Sequence, residues 1–303
     1  MIMKILLILW NLCALASHIM KHSSSSKSDF SIAFITAIYG TYELSTKSCG
    51  CRQNIKTDFI CFTNEKSLKN KYGWILDFNP YHTLNPSVLD TGNQLNSLKK
   101  NKHYFNIAKY YKQAFHNIPR LKNYDIVVWM DGTLQMKDSN CGMSEWLKRH
   151  VSEYKIVGWS HPLRNGSLYA EVADSNFDKY NSPIWRDQAQ PIQNVSAQYE
   201  AYVKEGYNDN YWNTVRKHVK NTSPEFGVWL TNFVAFDNKN EQVRHFLDLW
   251  YQQTLDFSTQ DQVSFAYVVQ KTGLTPYTLP DKTITGSPYG SNNFYEFIDH
   301  FKK

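Results

Sequence analysis

The chain has 303 residues, of which 42% are hydrophobic and 15% aromatic, and carries a formal net charge of +6. This is enough to bury one large core or two modest ones, and the aromatic frequency argues against long disorder. The basic excess lies in short pairs such as Lys99-Lys100 and Lys302-Lys303, with no basic run, nucleic-acid motif or fixed-period repeat; it suits an anionic small molecule, and no nucleic-acid partner is expected.

The N-terminus reads MIMKILLILWNLCALAS. Lys4 gives a thin positive start, Ile5 to Cys13 an apolar run broken by Asn11, and Ala14-Leu15-Ala16 a cleavage-like pattern. The run falls short of the ~20 apolar residues of a comfortable span. Residues 1–28 are expected to be a signal peptide or short signal anchor with a Ser-rich linker. Residues 29–303 are expected to form one domain. A secretory or membrane-associated location follows if the segment works as a signal, and a cytoplasmic one if it does not. The cysteines at 13, 49, 51, 61 and 141 leave four after cleavage, which allows three disulfide pairings or none. Cys49-Gly50-Cys51 lacks a second Cys or His pair at zinc spacing. Sequons stand at Asn165, Asn194 and Asn221.

Along the chain, Phe30 to Ile38 reads as a strand that ends at the turn Tyr39-Gly40-Thr41-Tyr42. Thr57 to Thr63 and Trp74 to Phe78 follow as strands. Tyr104 to His116 has apolar residues at helical spacing, with Pro119 just beyond. Asp125 to Met130 is a strand, Met143 to Val151 a short helix and Lys155 to Trp159 a further strand. Residues 182–207 hold a polar helical excursion. Gly227 to Asp237 reads as a strand, and Glu241 to Tyr251 and Gln260 to Lys271 as helices. Alternating strands and helices predict a parallel α/β sheet covered on both faces, with ligands bound at the carboxyl ends of its strands.

Asp131-Gly132 follows a mostly apolar strand at that rim. A carboxylate there can hold Mg²⁺ or Mn²⁺ and so neutralise a diphosphate leaving group. It can equally open a β-turn, with Gly132 easing the turn and a ligand's approach. Ser258-x-x-Asp261 fits a capping box, and Asp261 is also a carboxylate available for acid–base work.

The segments YGTYE, AKYYK followed by PRLKNYDIVVWMDG, HPLR with YAEV, and FSTQDQVSFAYV occur in this order. Together they resemble a glycosyltransferase-like family long listed as a domain of unknown function, with plant cell-wall, mucilage-related and bacterial members. The resemblance covers about residues 30–280. It implies a GT-A-like fold, that is, a Rossmann-like mixed, mainly parallel sheet with helices on both faces. It also implies a nucleotide-diphosphate sugar as co-substrate and a glycan or glycoprotein acceptor.

Carried onto this chain, Asp131 looks like the start of a D-x-D-type element contacting ribose and metal. Asp131-Gly132-Thr133 lacks the second carboxylate, so Thr133 would be a weak ligand to a loosely held Mn²⁺ or Mg²⁺. Thr36, Ala37, Tyr39, Gly40 and Tyr42 would frame the base and ribose. Lys109 and Lys112 share a helix face and would reach phosphates; a solvated face is the plain alternative. His161 and Arg164 would bind phosphate, with Glu171 orienting Arg164, against a surface salt bridge. Asp261 and Glu225 are the acidic candidates. Trp229 and Asn232 are acceptor candidates, although Trp229 fits the core better. The rival readings are a non-catalytic carbohydrate- or nucleotide-sugar-binding protein on the same fold and a metal-dependent hydrolase using Asp131.

Overall fold

The computed structural model describes residues 30–40, 43–84, 104–138, 141–176, 194–218, 227–279 and 295–298. The N-terminal apolar run, Thr41, Tyr42, the Asn221 sequon and Glu225 lie outside them. No described helix is long and apolar enough to cross a membrane.

From Ser31 onward the chain forms one compact unit. Its elements in order are β1 (Ser31–Ile38), β2 (Lys56–Thr63), β3 (Ile75–Asp77), α1 (Tyr104–Gln113), β4 (Ile126–Met130), β5 (Leu134–Met136), α2 (Met143–Tyr154) and β6 (Ile156–Ser160). There follow α3 (Leu168–Asp174), α4 (Val195–Lys204), α5 (Tyr211–His218), β7 (Trp229–Asp237), α6 (Glu241–Asp256), α7 (Asp261–Thr272), β8 (Tyr277–Leu279) and β9 (Tyr295–Phe297). Seven strands make one sheet in the order β3-β2-β1-β4-β7-β6-β8, and β5 pairs with β9 apart from it. Strands β1, β2, β3 and β4 run parallel, as do β6 and β8, while β7 is antiparallel to both β4 and β6. The expected mixed, mainly parallel α/β sheet is the one observed.

Burial explains why these runs are strands. Every residue of β4 and β6 is buried, as the continuous apolar sequences IVVWM and IVGWS require of strands covered on both faces. On one face, Ala33, Ile35, Val127, Val234 and Phe236 join a cluster with α1, α6 and α7 through Tyr111, Phe246, Trp250 and Phe265. On the other, Phe233 stacks on Tyr295 of β9, and Trp159 meets both rings edge-on. Each such side chain contributes about 1.5–3 kcal/mol by leaving water.

Local chemistry sets the helix ends. Asn240 caps α6 by accepting from the N–H groups of Gln242 and Val243, and Ser167 caps α3 by accepting from Ala170. The Ser258–Asp261 capping box does not form. Ser258 Oγ instead accepts from Gln260 N–H within the connecting turn, and Asp261 is the first residue of α7 with its carboxylate turned elsewhere. Cys51 and Cys141 are disulfide-bonded across 90 residues, and Cys49 and Cys61 are free.

Candidate active site

The carboxyl ends of β1, β4 and β6 share one edge with the start of β7, because β7 runs the other way. Backbone bonds fix this edge. Asp131 N–H donates to Asn232 O at 2.8 Å, and His161 N–H to Val228 O at 2.8 Å.

Four charged side chains meet there. Lys109 and Lys112, one turn apart on α1, converge on the two oxygens of Asp261 at the start of α7. Lys109 Nζ lies 3.0 Å from Oδ1, and Lys112 Nζ contacts Oδ2. Lys112 Nζ also stands 3.6 Å from Asp131 Oδ1 and donates to Thr231 Oγ1 at 3.3 Å. It faces the rings of Trp129 and Trp250 at 5.5 and 6.0 Å. Trp129 Nε1–H donates to Asp131 Oδ1 at 2.5 Å. The Lys112 side chain is 2% exposed and that of Asp261 9%, whereas Lys109 is 18% and Asp131 39% exposed. The cluster therefore runs from a buried ammonium outward to Asp131 and Lys109.

Burial alone would raise the Asp261 carboxyl, but the Lys109 and Lys112 ammoniums outweigh it and hold the group well below the usual carboxylate range. Burial pushes the Lys109 ammonium below its ordinary value, and Asp261 opposes the shift. The expectation that both lysines reach phosphates is corrected for Lys112, which lies in the interior with a side chain 2% exposed; the Lys109 side chain is 18% exposed.

A second cluster follows β6. Arg164 Nε donates to Glu171 at 2.6 Å, and its Nη1 pairs with Asp174. Glu171 is buried and also accepts from Ser175 Oγ at 3.2 Å and from Gln262 Nε2 at 2.8 Å. Leu163 N–H donates to His161 Nδ1, which leaves the ring proton on Nε2, 3.8 Å from Glu171. The expected Arg164–Glu171 pair is thus present, inside the protein and not on its surface. Through Gln262 it reaches the residue next to Asp261, a link that no local sequence pattern signals.

The remaining candidates divide. Thr36 is buried near the end of β1, and its Oγ1 finds no hydrogen-bond partner among the described residues. Ala37 beside it is half-buried. Gly40 N–H donates to Asn64 Oδ1 at 2.9 Å. Tyr39 is 6% exposed, donates to Tyr111 Oη at 2.8 Å and stacks on its ring at 5.6 Å, so the ring belongs to the core. Asn232 is half-buried beside Asp131, whereas Trp229 is fully buried with Nε1–H on Thr278 Oγ1 at 2.8 Å. Trp229 is a core residue. Gly132 is needed for close approach and not for an unusual backbone angle: a Cβ there would meet Ile38 Cγ1 at 3.2 Å. The buried pair Glu43–Lys47, at 3.0 Å, lies against the same turn and was not anticipated.

The residues at Asp131 do not fit a cation held by the protein. Asp131 Oδ1 is shared between Trp129 and Lys112, both oxygens of the nearby Asp261 already face an ammonium, and Thr133 is 6% exposed. The turn-opening role of Asp131 is present, since Leu134 N–H donates to Asp131 O at 2.9 Å.

No family model and no curated protein matches this chain. Among solved structures it is similar to mouse xyloside xylosyltransferase 1 in its apo form, with 11% identity and a TM-score of 0.42, over 83% of this chain and 85% of that one.

Proposed function

We propose that the chain is a GT-A-like glycosyltransferase that moves a sugar from a nucleotide-diphosphate sugar to a glycan or glycoprotein acceptor. The carrying observation is the convergence of Lys109, Lys112, Asp131 and Asp261 at the carboxyl edge of the parallel strands, where α/β sheets bind ligands. The order of the motifs supports the same reading. Lys109, with a side chain 18% exposed and held by Asp261, is the group that meets a donor phosphate; Arg164 and His161 are held on Glu171, which Gln262 ties to the start of α7. Asp261 orients and charge-balances the lysines, because each of its oxygens already has an ammonium. A secretory or membrane-associated location belongs to this proposal and is supported by the Cys51–Cys141 disulfide, since such bonds persist in oxidising compartments.

That engagement of Asp261 favours one alternative, a nucleotide-sugar-binding protein without turnover: a general base needs an oxygen free to take a proton. Incubating the purified chain with a panel of UDP- and GDP-sugars and mixed glycan acceptors separates the two. Nucleoside diphosphate released together with sugar gained by an acceptor supports transfer. Free sugar without acceptor product points to hydrolysis, and saturable binding without release to the binding protein.

A further inference from the structure

We infer that the site handles its nucleoside diphosphate without a protein-held divalent cation: the Lys112 ammonium stands as a built-in cation between the two carboxylates, and Lys109 presents the charge that meets the diphosphate. The inference rests on the donor class proposed above and specifies how that donor's charge is met.

Two carboxylates that converge on a point ordinarily make a place for a hard cation with oxygen ligands. Asp131 and Asp261 converge in this way, and the point is filled. Lys112 Nζ contacts Asp261 Oδ2 and stands 3.6 Å from Asp131 Oδ1. The ammonium is also held from its other sides, by Thr231 Oγ1 at 3.3 Å and by the ring faces of Trp129 and Trp250. Aromatic faces attract a cation through their quadrupoles, so this is a cation-binding cage closed by the chain's own side chain. Its stem is buried with the head group, which fixes the charge in place.

The charge balance points the same way. Two lysines and two carboxylates sum to zero, so the cluster offers no net negative charge to draw a divalent ion from water. Lys109 lies at the more open end, and among the described residues its ion pair is with Asp261 Oδ1. Turning from that oxygen to a phosphate oxygen keeps its ammonium paired. Asp261 then stays paired through Lys112, so no buried charge is left bare.

Calorimetric titration of the full chain with UDP, GDP and ADP, in excess EDTA and again in Mn²⁺, tests this. At least one nucleotide should bind in EDTA, with an affinity changed by no more than about twofold in Mn²⁺. Lys109→Gln should weaken that binding by roughly tenfold or more, the loss of one charge-assisted contact. Binding seen only with Mn²⁺, or tightened about tenfold or more by it, overturns the inference and leaves the proposed donor class standing. Absence of binding in both conditions overturns both. A folded Lys109→Gln chain that binds like the parent overturns the role of Lys109.

Discussion

The ammonium of Lys112 and the carboxylate of Asp261 meet where solvent reaches almost none of either, with side-chain exposures of 2% and 9%. One residue faces inward from α1, and the other opens α7. Breaking a buried pair by removing one partner is costly, because the remaining charge keeps its desolvation penalty without its compensation.

Asp261→Asn is therefore expected to destabilise the fold by about 3–5 kcal/mol, leaving two lysines facing a neutral amide. Urea titration of parent and variant measures it. A loss under about 1 kcal/mol would show that the cluster is not a stabilising pair but a solvated one.

Acid should act through the same residue. The folded-state value of Asp261 lies below its ordinary 3.8, so its contribution to stability is complete above that pH. It is lost as pH falls from 3.8 towards the depressed folded value. The melting temperature of the parent should drop more steeply across that window than that of Asp261→Asn. Parallel curves for the two proteins below 3.8 would contradict the assignment.

Much of this fold was legible beforehand, since the hydrophobic runs located every strand of the large sheet except β8. Continuous apolar stretches such as IVVWM mark strands buried on both faces without any tertiary information. What the runs do not carry is order and direction. Nothing in WLTNFVAFD says that β7 lies between β4 and β6 or that it is reversed. The Asp131 edge was legible because a carboxylate after an apolar strand is a local signal. The partnership of Lys112 with Asp261 was not, because it joins two helices distant in the chain. The same limit made Ser258-x-x-Asp261 read as a cap: the local pattern was satisfied, and two distant lysines claimed the carboxylate instead.

Glu171 and Asp174 both touch Arg164, yet their substitutions should differ. Glu171 is 1% exposed and has several donors, so Glu171→Gln should cost about 2–4 kcal/mol. Asp174 is 49% exposed, and Asp174→Asn should cost less than about 1 kcal/mol. Thermal unfolding of the two variants side by side decides it; equal losses would mean that Glu171 does not hold the loop to α7.

Gly227 has φ +131°, and a Cβ on it would come within 2.6 Å of both Gly166 O and the Trp212 ring. Gly227→Ala combines backbone strain with overpacking against a buried indole and should cost roughly 2–5 kcal/mol. Gly142, with nothing within 4 Å, is the comparison: as the N-cap of α2 it is disfavoured as Ala but meets no clash, so Gly142→Ala should cost only about 0.5–1 kcal/mol. Similar melting temperatures for the two variants would refute the contact.

The Cys51–Cys141 bond closes a long loop, and its removal should cost about 2–5 kcal/mol, largely through the unfolded chain. A reductant should lower the melting temperature of the parent and leave Cys51→Ser/Cys141→Ser unchanged. A parent indifferent to reductant would exclude the bond.

The reversed strand β7 has a consequence for how this chain can vary. Val228, Thr231 and Asn232 hold His161, Lys112 and Asp131 in turn, two through main-chain oxygens and one through a hydroxyl. Five successive residues thus serve as a ruler that sets the distances between three segments. A single inserted or deleted residue there would shift every mark and turn the alternating faces of the strand over. Length changes should be tolerated in the surface turns and refused within 228–232, however conservative the residues chosen.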